Sequence, residues 1–333
     1  MEALPPEESP SSEALGNSIP HPRPASYPEP HKPRWQPSNL TLRLLTAVAL
    51  IPPVIWVCWA GGWLYVAVVI CFAVVGTHEF YNFIEEKGAT THRTLGLAGV
   101  VALPIVAYVG DAFWATSLMT LVLLGALILQ LAKARIGEAI VSVSATFFGV
   151  VYVGWLLSHA VFVRFIGDEL HFRYGAMAAD TVPLEIGFFF MLLCLTAAVL
   201  CDAGAYFVGR RYGRRKLAPN ISPNKTVEGA IGGILVGALA TVLMKLFFDA
   251  FVPGDLARNF SVAAAALFGI VIAAVSILGD LIESILKRDA KIDSAGSALP
   301  GVGGVLDRID SALLAIPVTY YLLLAYYYVR LEL

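Results

Sequence analysis

Residues 279–310 read GDLIESILKRDAKIDSAGSALPGVGGVLDRID, and the fold turns on how this stretch is read. Apolar runs long enough to cross a bilayer flank it. Yet it carries Asp280, Lys287, Arg288, Asp289, Lys291, Asp293, Asp307, Arg308 and Asp310. Charge at membrane depth is costly and is read first as functional. Asp280, Ser284, Lys287 and Arg288 fall at i, i+4, i+7 and i+8, one face of a helix. Asp307 and Asp310 are three apart and share a face as well. Between the two sets, Pro300-Gly301-Val302-Gly303-Gly304 can turn the chain tightly. Asp280 and Asp307 are therefore expected to converge from two neighbouring helices. Mg²⁺ takes few protein carboxylates and completes its shell with water and phosphate oxygens, so two aspartates and a nucleotide suit it. The alternative is structural: Asp307, Arg308 and Asp310 pairing with Lys287 and Arg288 to hold two helices together.

Working outward, the chain of 333 residues is 58% hydrophobic and 14% charged, with a mean hydropathy of +0.73. Soluble domains carry about one quarter charged residues, so this is an integral membrane protein. The net charge of −2 says little about partners, and no nucleic acid is expected among them. Cys58, Cys71, Cys194 and Cys201 form no C-x-x-C pair and read as small buried hydrophobes. His78, His92, His159 and His171 show no ligand spacing. His78-Glu79 reads as interfacial, at the inner end of the second span.

Residues 1–38 are rich in Pro, Glu and Ser and are expected to form a disordered cytoplasmic tail. They lack the short apolar core of a secretory signal, so the first hydrophobic run is expected to be a retained span. The remaining residues, 39–333, form the membrane domain, with its motifs in 202–310. A helix needs about 20 mostly apolar residues to cross a bilayer. Candidate spans are 42–59, 63–83, 94–109, 112–132, 140–165, 184–209, 227–251, 262–286 and 306–328. The predicted fold class is thus an all-α polytopic bundle of about nine spans. With the tail inside, the loops holding Lys87 and Arg93, Lys133 and Arg135, Arg210 to Lys225, and Lys287 to Lys291 all fall on the inner side. The positive-inside rule favours that orientation, and it puts both polar segments on the cytoplasmic face.

The second polar segment, residues 202–229, reads DAGAYFVGRRYGRRKLAPNISPNKTVEG. Asp202 sits inside a span, with Gly204, Gly209 and Gly213 after it. Small residues serve either close helix packing or backbone approach to a ligand. Arg210, Arg211, Arg214, Arg215 and Lys216 satisfy orientation, and could also capture anionic headgroups or nucleotide phosphate. Ser222-Pro223-Asn224-Lys225-Thr226 precedes an apolar run as a helix start would. Such N-termini bind anions, and Lys225 adds a point charge for phosphate. No P-loop is present.

S-x-x-K-R at Ser284–Arg288, followed by L-P-G-x-G-G-x-L-D-R-I-D from Leu299 to Asp310, resembles the signature of the phosphatidate cytidylyltransferases, the CDP-diacylglycerol synthases. So do D-x-G-A-Y-x-x-G-R-x-x-G from Asp202 to Gly213 and S-P-x-K-T-x-E-G from Ser222 to Gly229. The specific motifs occupy roughly the C-terminal 40% of the chain. Two departures stand out: Val302 where the family usually has His, and Asp293-Ser294-Ala295 where it usually has Lys-Asp and a small residue. The resemblance implies an Mg²⁺-dependent enzyme of phospholipid biosynthesis that joins CTP to phosphatidic acid from the inner leaflet. It also implies a second, monovalent cation and a homodimer. Chain length favours a bacterial inner membrane.

On that reading Asp280 and Asp307 hold Mg²⁺ and Asp310 supports them. Lys225, Lys287 and Arg288 hold phosphates, and Ser222, Thr226 and Ser284 donate hydrogen bonds. Asp202 and Glu228 orient the basic groups or the cytidine, and Arg308 joins the substrate-binding set. The rivals are a cytidylyltransferase or CTP-dependent kinase acting on another lipid, and a transporter, which also uses interrupted helices and midplane charge. No internal repeat supports the transporter.

Overall fold

The computed structural model describes residues 51–332 apart from 111, 134–135, 180, 253–255, 258 and 293–303. The tail, the first half of the first span, the Pro-Gly turn at 300–303 and Asp293-Ser294-Ala295 lie outside the described residues. The apolar runs fold as helices: α1 (Ile51–Ala60), α2 (Gly62–Glu86), α3 (Arg93–Val109) and α4 (Ala112–Lys133). Next come α5 (Ala139–Gly149), a π-helical stretch (Val150–Trp155) and α6 (Leu156–Arg164), which together make one long rod. Two short helices follow, α7 (Ile166–Tyr174) and α8 (Ala176–Ala179). The C-terminal half consists of α9 (Ile186–Tyr212), α10 (Val227–Phe251), α11 (Val262–Asp289) and α12 (Leu306–Glu332).

Among the described residues, seven helical segments are long and apolar enough to span a membrane. α1 and α3 are shorter apolar helices, so the expected nine spans are not all reached by this measure. The chain is a multi-pass membrane protein. Its outward faces are apolar, as bilayer contact demands: Leu235, Leu239, Leu243 and Phe247 are exposed along α10.

One element departs from the all-helical expectation. Between α9 and α10 lies an antiparallel hairpin, β1 (Lys216–Ala218) and β2 (Ser222–Thr226), with Lys216 opposite Thr226 and Ala218 opposite Ser222. Pro219-Asn220 makes the turn, closed by the Ile221 N–H on the Ala218 carbonyl at 3.1 Å. Thr226 ends β2 and caps α10, its hydroxyl accepting the Gly229 N–H at 3.1 Å. The threonine before the apolar run thus marks the helix start, as an N-cap should.

The core joins both halves. Phe80, Tyr81, Phe189, Phe190, Phe260 and Leu306 are all fully buried. Phe190 packs edge-on against Phe260 at 5.0 Å, and Phe260 packs against Phe268 at 5.2 Å. Cys58, Cys194 and Cys201 are buried as expected; Cys71 is exposed on α2.

Candidate active site

α11 and α12 run antiparallel, in contact near the end of one and the start of the other. Lys287 Nζ lies 2.9 Å from Asp307 Oδ1. A side chain at Gly279 would reach the Asp310 carbonyl oxygen at 2.7 Å, so glycine here permits the close approach of two backbones. α11 ends in a Schellman cap: Ile292 N–H reaches the Lys287 carbonyl and Lys291 N–H the Arg288 carbonyl. Lys291 adopts the left-handed conformation at φ 58° that glycine usually fills.

Around this contact the structure gathers charge from four elements. Lys225 at the end of β2 pairs with Asp280 on α11 at 2.5 Å. Asp202, exposed on α9, accepts a hydrogen bond from Ser311 Oγ at 3.3 Å. Asp202, Asp280 and Asp310 stand close enough to repel one another electrostatically. Asp310 is buried and takes the Ser311 N–H at 2.5 Å. Asp307 holds Lys287 through one oxygen and accepts the Gly304 N–H at 3.2 Å through the other.

The carboxylates facing Asp280 are thus Asp202 and Asp310, while the described contacts of Asp307 are with Lys287, Gly304 and Glu283. The Lys287–Asp307 pair is one that the structural alternative foresaw. Ion pairing alone, however, does not account for three carboxylates set against one another.

Other candidates surround this centre. Arg288 on α11 is exposed and directs Nε at the Ile221 carbonyl of the hairpin turn, at 3.4 Å. Glu228 accepts the backbone N–H groups of Arg214 and Arg215 at 2.9 and 3.1 Å, so it shapes the basic run beside the hairpin. Ser222 lies on β2 and Ser284 on α11, both half-buried, and Arg308 is exposed in the first turn of α12. The glycines after Asp202 serve packing: a side chain at Gly204 would strike Val236 of α10 at 2.7 Å.

Two acidic residues beside the site escaped the motifs. Glu283 is buried on α11 and pairs with Lys287. Its spacing, three after Asp280 and four before Lys287, was a readable signal. Glu79 is buried within α2, and its Oε2 accepts the Leu306 N–H at 2.8 Å. No spacing in the sequence links residues so far apart.

Carboxylate oxygens are what Mg²⁺ selects, and Asp280, Asp307 and Asp310 supply them at the contact of α11 with α12, with Asp202 joined through Ser311. Among the described residues no group of three or more His, Cys, Asp or Glu is placed to hold a metal ion; Mg²⁺ takes few protein carboxylates and fills its shell with water and phosphate oxygens.

A membrane helix bundle with alternating acidic and basic groups at one helix–helix contact is a site for handling phosphates, and the chain belongs to the cytidylyltransferase family, whose sequence pattern matches residues 41–326. It is a nucleotidyltransferase. Among its relatives, the phosphatidate cytidylyltransferase of Synechocystis sp. is 31% identical over 295 residues, covering 84% of this chain and 95% of that protein. The chloroplastic phosphatidate cytidylyltransferase 4 of Arabidopsis thaliana is 30% identical over 294 residues, 82% of this chain and 71% of that one. The Bacillus subtilis phosphatidate cytidylyltransferase reaches 43% identity over 122 residues, 37% of this chain and 42% of that protein.

Proposed function

We propose that this chain is a CTP:phosphatidate cytidylyltransferase, making CDP-diacylglycerol and pyrophosphate from CTP and phosphatidic acid in phospholipid biosynthesis. The observation that carries the reading is alternation of charge. Lys225 stands against Asp280 and Lys287 against Asp307, so groups suited to phosphate sit beside groups suited to a cation. Relatives of that name matching most of the chain support it.

In this reaction an oxygen of the lipid phosphate attacks the α-phosphorus of CTP. The bond to the bridging oxygen of the β-phosphate breaks, and pyrophosphate leaves with the electron pair. No covalent enzyme intermediate is needed, so catalysis is positioning plus neutralisation of charge. Lys225, Lys287 and Arg288 bind phosphate oxygens, and Ser222, Ser284 and the Thr226 hydroxyl donate to them. Asp202 orients Lys225 or the cytidine, while Glu228 holds the backbone of the basic run and Arg308 reaches substrate from α12. Mg²⁺, held by Asp280 and Asp307 with Asp310 in support, would supply charge neutralisation at the phosphates. The second, monovalent cation and the homodimer rest on the family resemblance. The cytoplasmic N-terminus and cytoplasm-facing site rest on the distribution of Lys and Arg, and the bacterial inner membrane on relatives from bacteria such as Synechocystis sp. and Bacillus subtilis.

The test is purified protein with phosphatidic acid, Mg²⁺ and CTP labelled in either the α- or the γ-phosphate. α-Label in the lipid with release of pyrophosphate is expected. γ-Label in the lipid would instead mean a kinase, and label in neither would overturn the reading.

A further inference from the structure

α12 carries Asp307 and Asp310, yet the residues just before it offer no side chain to cap it. The residues before Leu306 are Gly303, Gly304 and Val305, none with a side-chain oxygen. Helix starts leave backbone N–H groups without intrahelical partners, and in a buried setting each needs an acceptor. Leu306 is almost fully buried, at 1% exposure, so water is not an obvious acceptor for its N–H. The acceptor is Glu79 Oε2 at 2.8 Å, supplied by α2 from 227 positions earlier in the chain. Glu79 itself is 4% exposed, and its second oxygen is buried with no hydrogen-bond partner.

The packing around this bond is tight. One turn before Glu79, a side chain at Gly76 would touch Ile309 at 3.4 Å and Val153 of the π-helical stretch at 3.3 Å. α2 is thus held against the first turn of α12. A carboxyl group is costly to bury without a role, and this one meets the end of a helix that favours negative charge.

We infer that Glu79 is a positioning residue of the active site, capping α12 from the N-terminal half of the chain and so setting where Asp307 and Asp310 stand relative to Asp280. It does not touch substrate; it acts through the backbone of Leu306, one residue before Asp307. The inference extends the proposed function to a part of the chain that carries none of the signature motifs. Its catalytic consequence rests on that function, but the cap itself does not.

The experiment has two arms on full-length protein, comparing the parent with Glu79→Ala and Glu79→Gln. In the first arm, amide hydrogen exchange is followed across α12 in detergent. Glu79→Ala is expected to speed exchange in the first turn of α12 roughly tenfold, the ratio that loss of an ordinary helix cap gives. Glu79→Gln keeps an oxygen acceptor and is expected to stay near the parent. In the second arm, CDP-lipid formation is measured: Glu79→Ala should lower kcat about as much while KM for CTP changes little, and Glu79→Gln should restore most of kcat.

Unchanged exchange in Glu79→Ala overturns the cap. Glu79→Gln as inactive as Glu79→Ala, with parental exchange, overturns the positioning role in favour of a direct chemical one. A parent that forms no CDP-lipid sinks the proposed function while the exchange arm still decides the cap. Should Glu79→Ala fail to fold, Glu79→Asp replaces it, with the carboxylate withdrawn by one methylene from Leu306.

Discussion

Two polar clusters meet α9, one at its start and one in its C-terminal half, and they are built on opposite principles. At its start, Arg164 is 3% exposed and makes three hydrogen bonds. Its Nε donates to the Cys58 carbonyl at 2.6 Å, and its Nη2 to the Trp59 carbonyl at 3.2 Å and to Glu185 at 2.8 Å. Seventeen residues beyond Glu185, roughly 25 Å along a helix, Asp202 enters a cluster in which carboxylates face carboxylates. The first cluster matches every charge with a partner inside the chain and so ties α1, α6 and the start of α9 together. The second leaves like charges opposed, which destabilises a fold and is retained where a ligand supplies the missing charge. Burial of charge alone does not separate structural from functional sites; the balance of signs does.

The largest effect should come from Asp280→Asn. Losing one preorganised electrostatic group at such a site lowers turnover by about 10²–10³-fold. The change relieves repulsion from Asp202 and Asp310 but removes the charge paired with Lys225, so the two offset and the thermal midpoint should hold. Asp307→Asn is expected to lose activity comparably but to lower the midpoint, since it leaves Lys287 paired with Glu283 and relieves no such repulsion. CDP-lipid formation and thermal unfolding, measured on the same preparations, test both. Full activity in either variant would remove the metal assignment.

Gly279→Ala comes next. Its added methyl meets the Asp310 carbonyl at 2.7 Å and Ser311 Cα at 3.2 Å, backbone atoms that cannot rotate away. Overpacking of this kind costs about 1–3 kcal/mol, and here it also shifts Asp310, so stability and turnover should fall together. At the other cluster the two should separate. Arg164→Ala leaves the buried Cys58 carbonyl without its donor, a loss of about 1–3 kcal/mol, with turnover per folded molecule unchanged. Glu185→Gln should cost less, within the 0–1 kcal/mol of an exposed pair, because the Glu185 side chain is 69% exposed. An Arg164 variant that is stable but inactive would abolish the distinction between the clusters.

The difference also explains what could be read in advance. Spans follow from length and hydropathy, and the sequence boundaries of α10 coincide with the structure at Val227 and Phe251. The motif residues of α11 and α12 were readable because helical spacing is local: Asp280, Ser284 and Lys287 needed only their intervals. The hairpin was not, since Ser222-Pro223-Asn224 has little strand propensity and forms β2 only by pairing with Lys216–Ala218. Nor were Glu79 on Leu306 or Arg164 on Cys58. Both are contacts between a side chain and a distant backbone atom, about which residue type and interval are silent.

The smallest expected effect sharpens the contrast through pH. Asp168 on α7 lies beside the Arg164 cluster but outside the spans. Partial desolvation, with repulsion from Glu185, raises its carboxyl above the ordinary aspartate value, while His171 and Arg164 pull the other way. A carboxyl whose folded pKa is raised favours the folded state most below its unfolded value, about 3.9. That contribution is lost as pH climbs through the raised folded value. Asp168→Asn should therefore equal or slightly exceed the parent in thermal midpoint at pH 7, and the advantage should vanish as pH falls below the ordinary aspartate range. Asp168 is largely exposed, so the shift will be small. A lower midpoint at pH 7 would mean that Asp168 works as a charge partner of Arg164. The cluster would then rely on a carboxylate that pays a desolvation penalty, as the active-site cluster does, and the sign balance separating the two would narrow.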